Sequence, residues 1–198
     1  MYMLLANTNP FLISWLSGPQ YVVDFQIYSR PFGVVSSLFT LALTPIWSAV
    51  TEATAKADFV WIGRIFRRLS RLALIATFAI FAFVAALQPF VNLWLGRDSI
   101  DIDAVYGLAF AASASVFAWN GVISSIVNGT GALRIQARML TIGVVLKIVV
   151  ATTLTRATGD WIWIVLSDVV ALMPYLIVQS AWLRRFTRRR TSPDVSMP

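Results

Sequence analysis

The sequence predicts an all-α integral membrane bundle of six transmembrane helices. Three observations carry that reading. First, 58% of the 198 residues are hydrophobic and only 13% are charged, about half the ~25% charge of ordinary soluble domains, and the mean hydropathy is +0.74. Second, several apolar runs approach the ~20 residues that cross a bilayer. They show no strict alternation, and backbone groups in lipid must be satisfied within the protein, so helices are expected rather than a barrel. Third, the basic residues gather at alternate connections between the apolar runs, the pattern of a cytoplasmic face. The net charge of +7 thus belongs to helix ends, and no nucleic-acid partner is expected. The chain has no Cys and no His. That excludes disulfides, thiol nucleophiles, imidazole bases and the usual zinc ligands, and no metal or cofactor is expected.

In chain order, residues 1–187 form a single membrane lobe. The first apolar segment, 2–17, is short and interrupted at Asn7, Thr8, Asn9 and Pro10, and Gly18-Pro19 marks a turn. Residues 21–29 read either as a segment near the interface or as the beginning of the next helix. The second span, 31–51, follows Pro31. Residues 58–71 carry Arg64, Arg67, Arg68 and Arg71 opposite an apolar face, an amphipathic helix lying at the interface. The third span is 72–90, and Arg97, Asp98, Asp101 and Asp103 then read as a solvated loop. Spans four to six are 104–127, 138–155 and 161–183. Trp161 and Trp163 anchor the sixth, and 188–198 form a disordered basic cytoplasmic tail. The basic connections and both termini are expected in the cytoplasm, and an even number of spans requires the same.

The second span is not uniformly apolar. Arg30, Gly33, Ser37, Thr40, Thr44, Trp47 and Thr51 recur at steps of three and four, which places them on one helical face. Such a stripe is expected to point away from lipid. Small and hydroxyl residues also let membrane helices pack closely, and an arginine at a helix end also serves as an interfacial anchor. Arg offers a fork of donors suited to phosphate, and Trp offers a flat apolar face that sugars and lipid chains both tolerate. In the fourth span Ser113, Asn120 and Ser124 share a helical spacing. Lys147 and Asp168 are the deepest charges. Each lies seven or eight residues from the turn joining spans five and six, roughly 10–12 Å along its helix. Equal depth in one hairpin predicts an ion pair, because a lone charge at that depth is costly. The pair is expected either to pin the hairpin or to take part in cation coupling or headgroup binding.

The segment Leu43-Thr44-Pro45-Ile46-Trp47, followed by Glu52-Ala53, Lys56-Ala57-Asp58 and Trp61-Ile62, resembles the second half of the oligosaccharide flippases. These are the O-antigen and exopolysaccharide transporters of the multidrug/oligosaccharidyl-lipid/polysaccharide (MATE-like) superfamily. Ala57 stands where that family usually has glycine. Gly18-Pro19 with Val22, Phe25 and Arg30, then Leu93-Trp94-Leu95-Gly96, and then Asn128-Gly129-Thr130-Gly131 with Arg134 and Gln136, match further family features in the same order.

The resemblance implies one lobe of a two-lobed MATE-like transporter, in which two six-helix halves face each other across a basic cavity. The cargo it implies is an undecaprenyl-pyrophosphate-linked glycan, carried across the bacterial inner membrane for surface polysaccharide biosynthesis. On that reading the chain is a fragment or half of a flippase. Arg30, Ser37, Thr40, Thr44, Trp47 and Asn120 would contact the cargo. Its partners would be membrane lipid, the lipid-linked anionic glycan, and a missing N-terminal lobe or another polysaccharide-assembly protein. The alternatives are a lobe of a drug/cation antiporter, with Asp168 as its carboxylate, and a non-transporting membrane subunit of a polysaccharide-assembly complex. An enzyme is not expected, since no close pair of membrane-embedded carboxylates and no phosphate-binding glycine loop is present.

Overall fold

The computed structural model describes residues 7–96 and 100–191. Among them are seven helices: α1 (Asn9–Leu16), α2 (Tyr21–Ala55), α3 (Phe59–Val84), α4 (Leu87–Leu95), α5 (Ala104–Thr130), α6 (Leu133–Thr158) and α7 (Ile162–Thr191). Four of them, α2, α5, α6 and α7, are long and apolar enough to cross a membrane, and α3 with α4 makes a fifth if that bent pair is one span. The chain is thus a multi-pass helical membrane protein. Among the described residues the candidate spans number four or five, where six are expected from sequence. The first expected segment, 2–17, is described only from residue 7, and there α1 has eight residues, about 12 Å of helix.

Three boundaries differ from the sequence reading. Helix α2 runs unbroken for 35 residues through Pro31 and Pro45, so residues 21–29 are its first turns, the second of the two readings the sequence allows, and the helix starts ahead of the expected boundary at 31. Phe25, Ile27, Tyr28 and Phe32 bury that part of the helix, and their packing outweighs the proline penalty. The amphipathic stretch 58–71 and the span 72–90 are not two elements. Phe59, Ile62, Phe66, Leu69, Ala73 and Ile80 form one buried stripe along a continuous α3, and no breaker separates Arg71 from Leu72. The chain then bends by 65° into α4, where Pro89 sits in the first turn and needs no amide hydrogen. At the other end, α7 continues through Thr191, into the stretch 188–198 expected to be disordered. The loop residues Arg97 and Asp98 and residues 192–198 of the tail lie outside the described residues, as do residues 2–6 of the first apolar segment. Asp103 is the N-cap of α5, accepting from the Val105 amide at 2.7 Å.

Helix α5 is the hub. In its apolar window 67% of residues are buried, against 11% for α2. Its many small buried residues, including Gly107, Ala111, Ser113, Ala114 and Ala118, let neighbouring backbones approach. At Gly129 an added Cβ would lie 2.6 Å from the Val50 side chain of α2, and at Gly143 on α6 it would lie 2.5 Å from the Ala171 carbonyl of α7. Two apolar clusters result. One, around Ile62, Ile123, Ile126 and Tyr175, fills the half nearer the arginines of α3 and α7; this half is called the basic end below. The other fills the opposite end and is largely aromatic. There Tyr28 stacks on Phe110 at 5.5 Å and Tyr106 meets Trp161 at 4.8 Å. Tyr106 donates to Asp160 at 2.8 Å, and the Asp103 amide donates to Tyr28 at 2.9 Å. These bonds fix the start of α5 and α7 against α2.

Candidate functional site: a polar face on α2 and a buried ion pair

Sparse burial of α2 leaves its polar stripe uncovered. Arg30, Gly33, Ser37, Thr40, Thr44, Trp47 and Thr51 are all exposed. The threonine hydroxyls are turned back onto their own helix. Thr40 donates to the Ser36 carbonyl at 2.9 Å, Thr44 to the Thr40 carbonyl at 3.1 Å, and Thr51 to the Trp47 carbonyl at 3.0 Å. This is how a hydroxyl is satisfied on a membrane helix, and it leaves each oxygen with accepting capacity.

The residues expected to form one site divide between two concavities along this face. Thr40, Thr44, Trp47 and Asn120 share a cavity of about 390 Å³ between α2 and α5, nearer the basic end. Asn120 lies on its floor and is only 2% exposed. Arg30 and Ser37 line a second concavity of about 690 Å³, nearer the opposite end. Arg30 is ten residues from Thr40, about 15 Å along the helix. The Arg30 guanidinium lies over the Trp94 ring of α4 at 5.9 Å, a cation–π contact, and it makes no ion pair among the described residues.

Lys147 and Asp168 do meet. The Lys147 Nζ is 2.7 Å from Asp168 Oδ1, with both side chains almost wholly buried. Each helix places its charge about two turns below the α6–α7 connection, and the close approach at Gly143 holds the helices near enough to touch. The second carboxylate oxygen accepts from the Asn9 amide of α1 at 2.7 Å. The carboxylate is thereby bound from two other helices, α6 and α1. Asn9 and Ser113 also line a cavity of about 190 Å³ whose far wall includes Ser29, Gly33 and Ser36 of α2. Neither Lys147 nor Asp168 lines this space, and Asn9 stands between it and the carboxylate.

Several residues at these sites escape sequence reasoning. Ser125, Asn128 and Gln136 join the first cavity, and Gln26 and Ser29 join the second. A signal for the first group exists, because Asn120, Ser124 and Asn128 repeat every four residues on α5. Ser124 contacts the Tyr175 hydroxyl at 3.0 Å, which ties this row to α7. Nothing local marks Asn9 or Trp94 as partners of Asp168 and Arg30. Among the described residues no cluster of acidic side chains suited to a metal ion occurs. No protein-family profile, curated protein or solved structure matches the chain, so the functional reading rests on these residues.

Proposed function

We propose that this chain forms one wall of a path that carries a lipid-linked anionic oligosaccharide across the bacterial inner membrane, in surface polysaccharide biosynthesis. The observation that supports this most directly is the uncovered polar face of α2, with Arg30 toward one end and the Thr40–Thr44–Trp47–Asn120 cavity toward the other. A polar stripe gains nothing from lipid. It suits a cargo whose sugars take hydroxyl and amide hydrogen bonds and stack on an indole face, and whose pyrophosphate takes a guanidinium fork. The work is to shelter that headgroup across ~30 Å of hydrocarbon, and no bond is made or broken. The distribution of arginines supports a cytoplasmic basic end, which puts Arg30 toward the far side as an attractor for phosphate. A second helical bundle facing α2 would close the path, in keeping with rocking of two bundles about a central site. The drug/cation antiporter reading is less well supported. It needs a carboxylate open to a cation, and the Asp168 oxygens are engaged by Lys147 and Asn9.

The test is export in cells whose surface polysaccharide depends on this chain. R30Q is expected to lower export about tenfold or more, the scale of one charged hydrogen-bonding interaction, and W47A to lower it by removing the indole face, each with unchanged amounts of protein in the membrane and accumulation of the lipid-linked intermediate. R30K keeps the charge but loses the bidentate fork, and so retains an intermediate level. Export at the wild-type level in both R30Q and W47A overturns the proposal.

A further inference from the structure

A second face of the molecule, not used by this reading, also has the chemistry of a binding site. Arg67 and Arg71, one turn apart on α3, and Arg184 on α7 line a concavity of about 540 Å³ together with Gly63, Phe66, Ser70 and Thr187. The two helices run close here, since an added Cβ on Gly63 would lie 3.5 Å from the Thr187 side chain. All three arginines are exposed. No carboxylate lines the concavity, and none of the three arginines forms an ion pair among the described residues.

Arg184 also lines the end of a separate groove of about 650 Å³ between α3, α5 and α7, whose walls include Phe81, Val116, Trp119, Met173 and Ile177. The Thr77 hydroxyl within it is already occupied, accepting from the Trp119 indole at 3.2 Å and donating to the Ala73 carbonyl at 2.8 Å. On α7 the groove extends from Val169 to Arg184, about 22 Å at 1.5 Å per residue. That exceeds the roughly 15 Å depth of one leaflet's hydrocarbon.

We propose that this face binds an anionic phospholipid of the membrane leaflet at the basic end, with its phosphate among Arg67, Arg71 and Arg184 and its acyl chains in the α3–α5–α7 groove. Guanidinium groups without local counter-charge attract and fork onto a phosphate. A zwitterionic lipid would bring its own cation into the same three-arginine concavity. A soluble phosphate would leave the adjoining apolar groove unused. The site is separate from the polar face of α2, and the proposal does not depend on the glycan reading.

Native mass spectrometry of the purified full chain in detergent, with phosphatidylglycerol or phosphatidylcholine added, tests this. Wild-type protein is expected to retain one phosphatidylglycerol and to hold phosphatidylcholine at least about tenfold less. R67Q/R71Q/R184Q is expected to lose that preference. R64Q/R68Q/R185Q, which removes equal charge outside the concavity, is expected to keep it, and A112F, at a small residue of α5 that lines the groove, is expected to weaken retention by filling it. Glycerol phosphate is not expected to displace the lipid. Equal retention of the two lipids, equal loss in both triple variants, or displacement by glycerol phosphate each overturns the proposal. So does preferential displacement by undecaprenyl pyrophosphate, which would assign the site to the cargo.

Discussion

Ala57 has φ +55° in the turn between α2 and α3, a region that costs an L side chain about 1–2 kcal/mol. This is the position where the resembled family usually has glycine. A57G is therefore expected to raise stability by about 1 kcal/mol, seen as a higher midpoint of thermal unfolding in detergent. A lower midpoint would mean that the Ala57 methyl makes a contact worth more than the strain. Lys147 makes the opposite case. With its partner left buried and unpaired, K147M is expected to cost about 3–5 kcal/mol. The double variant K147M/D168L is expected to recover more than half of that loss, because it removes both charges together. If the double variant is as unstable as the single, the stability of this region comes from the Asn9–Asp168 bond, not the ion pair.

Helices meet where a missing Cβ allows it. Gly143 packs against the Ala171 carbonyl, and that approach brings Lys147 within reach of Asp168. G143V is expected to push α6 from α7 and to destabilise by about 1–3 kcal/mol, the usual cost of overpacking. Measured in the K147M/D168L background, the same substitution is expected to cost less, because it then breaks no ion pair. Additive effects would argue against coupling between the two contacts. Helix continuity is likewise set by packing. Pro31 suggests a boundary when read alone, yet Phe25, Tyr28 and Phe32 carry α2 through it. The α3 stripe from Phe59 to Ile80 is legible as one period of three and four; its arginine-rich first half suggests a separate interfacial helix only when charge is given more weight than periodicity.

Across the whole molecule, the orientation proposed from arginine placement can be checked directly, because the chain has no Cys. Single cysteines at Lys56, Asp101 and Thr158, all exposed positions, give separate reporters. In intact cells a membrane-impermeant thiol reagent is expected to label D101C and T158C and to spare K56C. The reverse pattern would place the basic end outside and invert the direction proposed for the cargo.

Membrane residence, helicity, several crossings, the polar face of α2 and the equal depth of Lys147 and Asp168 are all legible in the linear order of residues. Each depends on composition, on a period of 3.6 residues, or on a count of residues from a turn, and these are properties of a single helix. The neighbours across helices are not legible in this way. Asn9 reaches Asp168 from 159 residues away, Trp94 comes under Arg30, and Arg30 and Thr40 fall in separate concavities on one stripe. These depend on how the helices rotate and cross about α5. Close approach at glycine and the fit of aromatic side chains set that arrangement, and a helical period carries no record of it.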